Sequence, residues 1–179
     1  MKKQFKSKRR SLSTKYKMGP IISRHEAQEF GPGKIDVIFC PEGDEVYYFK
    51  SWHHNLGNYH YLKETKPLRF KLCPFHQMKK NRQWEGEIRI SNPPEKYKSQ
   101  IVSTAEGVSR EAYRRDPMHR ILDMKTAKDE IKIYVSENQL AQKISKKILH
   151  SFKNRFSKPK IHKAKGGDPV LITMEWLAK

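Results

Sequence analysis

The chain has 179 residues, and its 38 Lys and Arg against 19 Asp and Glu give a formal net charge of +19 and a pI near 9.9. A cationic excess of this size repels itself in a compact chain unless a polyanion neutralises part of it, which makes a small-metabolite enzyme a poor interpretation. Aromatic residues supply 11% of the sequence, enough for a core and too many for a disordered polycation. We therefore expect a folded protein that binds a polyanion, with RNA as the first candidate.

The sequence gives no indication of a membrane or secreted protein. No stretch approaches the roughly 20 apolar residues that cross a bilayer. The basic N-terminus is not followed by the apolar run of a secretory signal. Two cysteines, Cys40 and Cys73, are too few for a disulfide scaffold and suit a reducing compartment. We expect a cytoplasmic protein that has no membrane partner.

Residues 1–34 are predicted to be a basic disordered tail. Their lysines and arginines are interleaved with Ser, Thr and Gln, and almost nothing in the segment is suited to a core. One interpretation is a solubilising tail, and the other is an arm that follows phosphates. The charge of the whole chain favours the arm, and the RNA contacts predicted in it are Lys8, Arg9, Arg10 and Lys15.

Residues 35–91 are predicted to form a zinc-ribbon-like β module. Ile35–Phe39 leads into Cys40-Pro41, and Leu68–Leu72 leads into Cys73-Pro74, so a short strand ending in Cys-Pro occurs twice. The two ligand-bearing turns of a zinc ribbon have this layout. The segment Gln83–Ile90 has the alternation of a half-buried strand and is assigned to the end of the same module.

Cys40, Cys73 and His76 are the candidate metal ligands of this module. Gly43 stands where a second cysteine of the first turn would be, so the predicted zinc site is one ligand short. Two interpretations stay open. In one, a nearby histidine completes the site; in the other, the metal has been lost and the cysteines pack in a small core. The histidines that could complete the site are His53, His54 and His60.

Residues 92–116 are predicted to be a linking helix, running from Glu95 to about Arg115. Its apolar residues fall at intervals of four, three and four, which is one stripe of a helix. Asp116 precedes a proline, and this position avoids the helical region. The residues of the stripe are Ile101, Ala105, Val108 and Ala112.

Residues 117–179 are predicted to fold as a ββαββ module, an antiparallel sheet with one packed helix, which makes the fold class α+β. Arg120–Met124 and Ile131–Val135 form one predicted hairpin. Lys160–Ala164 and Val170–Trp176 form the other. Between them, the sequence Ser-Glu-Asn-Gln at 136–139 has the form of a capping box that starts the helix.

The polar side of that helix is strongly basic. An ordinary solvated helix surface alternates charges, whereas this one has no acidic residue after Glu137. The preference for cations at a helix C-terminus accounts for only part of this bias. The RNA contacts predicted here are Lys143, Lys146, Lys147 and Lys153.

From the first Cys-Pro onward, the order of motifs resembles a known family of proteins. The likeness is carried by Cys40-Pro41, Cys73-Pro74, Trp84–Arg89 and residues 119–152, and it covers residues 35–177. The family comprises small bacterial zinc-ribbon proteins of unsettled function. It is similar in turn to the N-terminal region of the archaeal and eukaryotic large-ribosomal-subunit export adapter. Gly43 and His76 stand where the family pattern has cysteines. The resemblance implies binding to ribosomal RNA or to the large ribosomal subunit.

The sequence therefore predicts a non-enzymatic RNA-binding protein associated with the ribosome. A DNA-binding regulator is the first alternative, although no helix-turn-helix pair is evident. A histidine-dependent RNA-processing enzyme, acting through residues such as His53 and His54, is the second. The sequence contains no phosphate-cradling loop and no familiar hydrolase motif.

Overall fold

The computed structural model describes residues 37–48, 50–55, 57, 69–163 and 169–177. The predicted basic tail, with Lys8, Arg9, Arg10 and Lys15, lies outside these residues, and so does His60. The described part of the chain contains three helices and two mixed sheets, one of four strands and one of five. The predicted α+β class is confirmed.

The first sheet consists of four short strands in the order β3-β2-β1-β4. Strand β1 pairs antiparallel with β2 and parallel with β4. Because β1 and β4 run side by side in the same direction, the segments that follow them leave the same edge of the sheet. This topology brings Cys40, after β1, close to Cys73, after β4. The strands are β1 (Ile38–Phe39), β2 (Val46–Tyr48), β3 (Ser51–His53) and β4 (Arg69–Phe70).

The second Cys-Pro pair begins a helix, α1 (Pro74–Asn81), instead of a turn between strands. Cys73 is its N-cap residue in an extended conformation, and Pro74 occupies the first helical position, where its missing N–H costs nothing. The helix ends at Arg82, which has a left-handed conformation with φ of 54°. A zinc ribbon with two equivalent turns is therefore not confirmed, since only the first Cys-Pro lies in a turn between strands.

The second sheet has the strand order β6-β7-β5-β9-β8. Its central strand β5 pairs antiparallel with β7 and parallel with β9. The predicted hairpins β6–β7 and β8–β9 are confirmed. The predicted four-stranded antiparallel sheet is wrong, because the strand assigned to residues 35–91 is the centre of this sheet. The strands are β5 (Gly86–Ser91), β6 (Ile121–Thr126), β7 (Glu130–Val135), β8 (Lys160–Lys163) and β9 (Val170–Glu175).

Two helices, α2 (Glu95–Arg115) and α3 (Asn138–Ser151), share the main core with the five-stranded sheet. The predicted bounds of α2 are confirmed. Its residues Ile101 and Ala105 join Ile144 and Ile148 of α3 in that core. Among the described helices, none has both the length and the apolar character needed to cross a membrane.

The predicted capping box is wrong. Helix α3 has Glu137 at its N-cap, without a side-chain capping hydrogen bond. The Ser136 hydroxyl instead donates to the Met118 carbonyl oxygen at 2.7 Å and accepts from the Arg120 N–H at 2.9 Å. These bonds hold the segment that leads into β6, so the Ser136 hydroxyl serves a tertiary contact instead of capping α3.

Gly86 lies where α3 packs tightly against the sheet. A Cβ at this position would lie 2.7 Å from Ala141 Cβ and 2.7 Å from Val135 Cγ2. We predict that Gly86→Ala lowers the free energy of unfolding by about 1–3 kcal/mol through overpacking, measured by urea denaturation. Gly107→Ala is the matched control, because a Cβ there meets nothing within 4 Å. It should raise stability by about 0.5–1 kcal/mol. Equal effects of the two changes would contradict this packing.

Candidate metal centre and basic segment

Four side chains of the described residues meet beside the first sheet: Cys40, Glu45, Cys73 and His76. Each offers one ligand atom, and all four atoms lie within 4.8 Å of one another. Cys73 is 0% exposed and Glu45 only 2% exposed. The structure thus brings together the three ligands predicted from the sequence and adds a carboxylate.

Backbone contacts fix the positions of these residues. Cys40 follows β1 and Glu45 precedes β2, and the Cys40 N–H donates to the Glu45 carbonyl oxygen at 2.9 Å to close the turn. Cys73 and His76 lie three residues apart at the start of α1, which places both on one side of the helix. The Cys73 N–H also donates to Cys40 Sγ at 3.4 Å.

The distances within the cluster suit a shared cation. His76 Nδ1 lies 3.3 Å from Cys40 Sγ, 3.1 Å from Cys73 Sγ and 3.5 Å from Glu45 Oε2. Cys73 Sγ lies 3.9 Å from the same carboxylate oxygen. Metal–ligand bonds of about 2.0–2.3 Å at tetrahedral angles place ligand atoms about 3.3–3.8 Å apart. The cluster could therefore hold a metal ion.

Glu45 occupies the space that a side chain at Gly43 would need. A Cβ built on Gly43 would overlap Glu45 Oε2 and lie 2.8 Å from His76 Cε1. The missing cysteine of the first turn is thus replaced by a carboxylate from two residues further along the chain. The sequence signal for this ligand is an acidic residue two positions after Gly43, at the end of the Cys-Pro turn.

His53 and His54, two of the three histidines expected to complete the site, do not belong to the cluster. The His53 ring stacks on Tyr48 with centroids 3.9 Å apart, and its Nε2 lies 3.2 Å from the Tyr48 carbonyl oxygen. His54 packs edge-on against Tyr113. Among the described residues, Glu45 takes the place predicted for His53 or His54 as the fourth ligand.

Arg120 holds the second oxygen of the Glu45 carboxylate. Its Nη2 donates to Glu45 Oε1 at 2.6 Å, while Oε2 faces the thiols. The guanidinium carbon lies 3.7 Å from the centroid of the Phe75 ring and 5.0 Å from that of Tyr113. Such an outer partner orients a ligating carboxylate and limits its motion. Sequence reasoning also missed Arg120, since nothing local connects it to Glu45.

Burial raises the pKa of the Cys73 thiol from 9.0 to about 12, and contact with Cys40 and the charge of Glu45 add to the effect, although the backbone at His76 opposes it. The thiol therefore stays protonated at neutral pH unless a cation joins the cluster. A coordinating metal deprotonates its thiol ligands, so metal binding should release protons here.

The same geometry differs from that of a Cys-His nucleophile. In such a pair, one ring nitrogen contacts the thiol and the other contacts an orienting group. Here the single atom His76 Nδ1 faces both thiols and the Glu45 carboxylate. The nucleophile would also have to be a thiolate, and the raised pKa of Cys73 opposes this. The cluster is arranged as a set of ligands.

A second feature is the stretch Asn138–Lys163, which we call the basic segment. It contains eight Lys or Arg residues and no Asp or Glu, and all eight side chains are exposed. None of them lies within 4 Å of a carboxylate in the part of the chain that the structure describes. The eight are Lys143, Lys146, Lys147, Lys153, Arg155, Lys158, Lys160 and Lys163, and they include four predicted RNA contacts.

The cations of α2 are arranged differently. Lys98 pairs with Glu95 at 2.6 Å and Arg110 with Glu106 at 3.7 Å, and Arg115 pairs with Glu111. Most of the positive charge on α2 is therefore already balanced. Lys79 and Lys80 of α1 also lack a carboxylate partner among the described residues, but the longest run of such cations lies on α3 and the chain that follows it.

Neither the models of known protein families nor the curated proteins contain a match to this sequence.

The raised pKa of Cys73 predicts slow alkylation of the metal-free protein. With a pKa of about 12 instead of 9.0, the thiolate fraction at pH 8 falls, and the reaction with iodoacetamide should be about 10³-fold slower than in the urea-unfolded chain. Peptide mapping by mass spectrometry separates Cys73 from Cys40. Similar alkylation rates in the folded and the unfolded chain would contradict the geometry.

The same pKa shift predicts how stability depends on pH. Because the pKa of Cys73 is higher in the folded than in the unfolded state, the metal-free fold should lose stability as pH rises from about 9 towards 12.

Proposed function

We propose that the protein binds RNA without acting on it chemically, and that its metal centre is structural. The observation that carries this proposal is the basic segment, in which eight exposed cations lack a carboxylate partner among the described residues. The formal net charge of +19 supports it. A cation without a carboxylate partner gains more binding free energy from a phosphate than a paired cation does, because no internal ion pair has to be broken first.

The physical basis is the release of counterions. Each phosphate that a lysine neutralises frees ions condensed on the nucleic acid, which gives an affinity that falls steeply with salt. Ribosomal RNA is the proposed target, on the strength of the family resemblance carried by Cys40-Pro41, Cys73-Pro74 and residues 119–152. A DNA-binding regulator is supported less well, since α3 lays its apolar side on the sheet and α2, and the β6–β7 hairpin separates the two helices, so they do not form a helix-turn-helix pair.

A histidine-dependent RNA-processing enzyme is also supported less well. His53 Nε2 lies 2.9 Å from Ser51 Oγ and 3.2 Å from a backbone carbonyl oxygen. Its ring stacks on Tyr48. These contacts account for the side chain structurally, and no carboxylate–histidine pair is formed at His53 or His54 among the described residues.

We propose that the metal is zinc. Two thiolates, one imidazole and one carboxylate are donors that tetrahedral Zn²⁺ accepts. Two thiolates and the Glu45 carboxylate would leave a divalent ion with one net negative charge, and Arg120 at 2.6 Å from that carboxylate supplies the balancing positive charge. Buried charges are tolerated when they are paired in this way. The residues that would hold the ion are Cys40, Glu45, Cys73 and His76.

Zinc binding predicts about one ion per chain in elemental analysis of the purified protein. Cys73→Ser and Glu45→Gln should each lower zinc affinity by at least about tenfold, because each removes a ligand. His53→Ala is the matched control and should keep the wild-type affinity, since His53 packs on Tyr48. Zinc content that survives both ligand variants would place the ion elsewhere.

The exchange of Gly43 and Glu45 offers a second check of the same site. The double variant Gly43→Cys, Glu45→Ala frees the space filled by the carboxylate and supplies a thiol in its place. It should bind Co²⁺ through three thiolates instead of two, so the thiolate charge-transfer band should be about half again as intense as that of the wild type. A band of unchanged intensity would mean that position 43 does not point to the ion.

For RNA, we predict that Lys146→Gln with Lys147→Gln weakens binding and flattens the dependence of log affinity on log salt by about 1.5–2 units. The matched control, Arg110→Gln with Arg115→Gln, removes the same charge from two cations that are already paired on α2. Its slope should change by less than about half as much. Fluorescence anisotropy across a salt series measures both. Equal changes in slope would show that only the net charge matters and would reject the basic segment as the contact.

A further inference from the structure

The side of the five-stranded sheet opposite α2 and α3 carries polar and aromatic residues. In β5, β7 and β9, the fully buried residues that face the helices alternate with residues on the other side. We call this other side the open face. Its residues on those strands are Arg89, Lys132, Tyr134, Leu171 and Thr173, which are partly exposed, and Glu87, which is 7% exposed.

A row of basic residues crosses the open face at right angles to the strands. Residues paired in register lie on the same side of a sheet, about 4.8 Å from strand to strand. The register therefore aligns one residue from each of the five strands in one row. In strand order, the row consists of Lys125, Lys132, Arg89, Thr173 and Lys160, which are four cations and one threonine.

An exposed aromatic residue lies beside this row. Trp84 is 37% exposed, and its ring centroid is 4.7 Å from that of Tyr134. Lys125 Nζ lies 5.8 Å from the Tyr134 ring centroid, so a cation adjoins the aromatic pair. A partly exposed tryptophan that packs at a tilt of 59° against a second ring, with a cation alongside, offers a π surface on which a nucleic-acid base can stack.

Three of the four cations in the row are already paired with carboxylates, so the open face is better suited to stacking bases than to binding phosphates alone. Arg89 pairs with Glu87 at 2.6 Å, Lys132 with Glu130 at 3.0 Å and Lys125 with Asp123 at 3.8 Å. Lys160 is the member of the row that belongs to the basic segment. Strand β8 is thus both the edge of the open face and the end of the basic segment, so an RNA strand bound at that segment can continue over β8 onto the sheet.

We propose that the open face binds an unpaired segment of RNA, with a base stacked on Trp84 and the backbone crossing the row from Lys160 towards Arg89. This inference rests on the proposed RNA-binding function. It adds a preference for single strands, because the bases of a duplex are already stacked on one another and cannot reach Trp84. The basic segment contacts phosphates, and the open face contacts bases.

The test compares a single-stranded RNA of about 12 nucleotides with a duplex of the same sequence. Trp84→Ala should weaken binding of the single strand about tenfold, leave duplex binding unchanged and leave the salt slope unchanged. The intrinsic fluorescence of the wild type should be quenched by the single strand, and Trp84→Phe should abolish most of that quenching while retaining part of the affinity. Phe70→Ala is the matched control, since it removes a 69% exposed ring from the other sheet. The thermal midpoint of each variant verifies its folding.

The outcomes separate this inference from the proposed function. If Trp84→Ala and Phe70→Ala bind the single strand as the wild type does, while Lys146→Gln with Lys147→Gln still weakens binding, the stacking surface is rejected and RNA binding stands. If the wild type binds neither RNA at low salt, both proposals fail. A dimer in analytical ultracentrifugation that Trp84→Ala dissociates would assign the open face to a second copy of the chain and overturn the inference.

Discussion

The Glu45 carboxylate is the group on which the first sheet depends. A carboxylate that is 2% exposed cannot remain buried without partners. One of its oxygens accepts a hydrogen bond from the Arg120 guanidinium, and the other lies beside the Cys73 thiol and the His76 imidazole. The apolar cluster of this sheet is small, built on Val37, Val46 and Tyr48. The polar contacts of Glu45 therefore contribute much of the stability of this sheet. The ion pair with Arg120 also joins the sheet to the segment before β6.

The distribution of ion pairs separates two kinds of positive charge in the same chain. On α2, pairs such as Arg110–Glu106 balance the cations within the helix itself. Such exposed pairs add little to stability, but they keep the helix surface close to neutral. Between Asn138 and Lys163, nothing acidic accompanies the lysines. The position of the unpaired cations is therefore more informative about a binding surface than the net charge is.

Local signals predicted the fold where its contacts are local. The stripe from Ile101 to Ala112 fixed α2, and alternation fixed the hairpins β6–β7 and β8–β9. The alternation of β5 was also recognised, but alternation does not identify a partner strand, so its place beside β9 was missed. The prediction of the fourth metal ligand was wrong for a related reason. The thiols and His76 have a recognisable spacing, whereas Glu45 enters the site only because the turn at Gly43 leaves room for it.

The parallel pairing of β5 with β9 joins segments about 80 residues apart, at the middle of the sheet. During synthesis, β5 emerges long before its second neighbour, and until then one of its edges is exposed to any other extended chain. The main core can close only when the last strand has arrived, since Val170, Ile172 and Met174 complete it. The five-stranded sheet can therefore assemble only after β9 has been synthesised. A chain that lacks β9 would expose one edge of β5 and part of the core, and would be prone to aggregation.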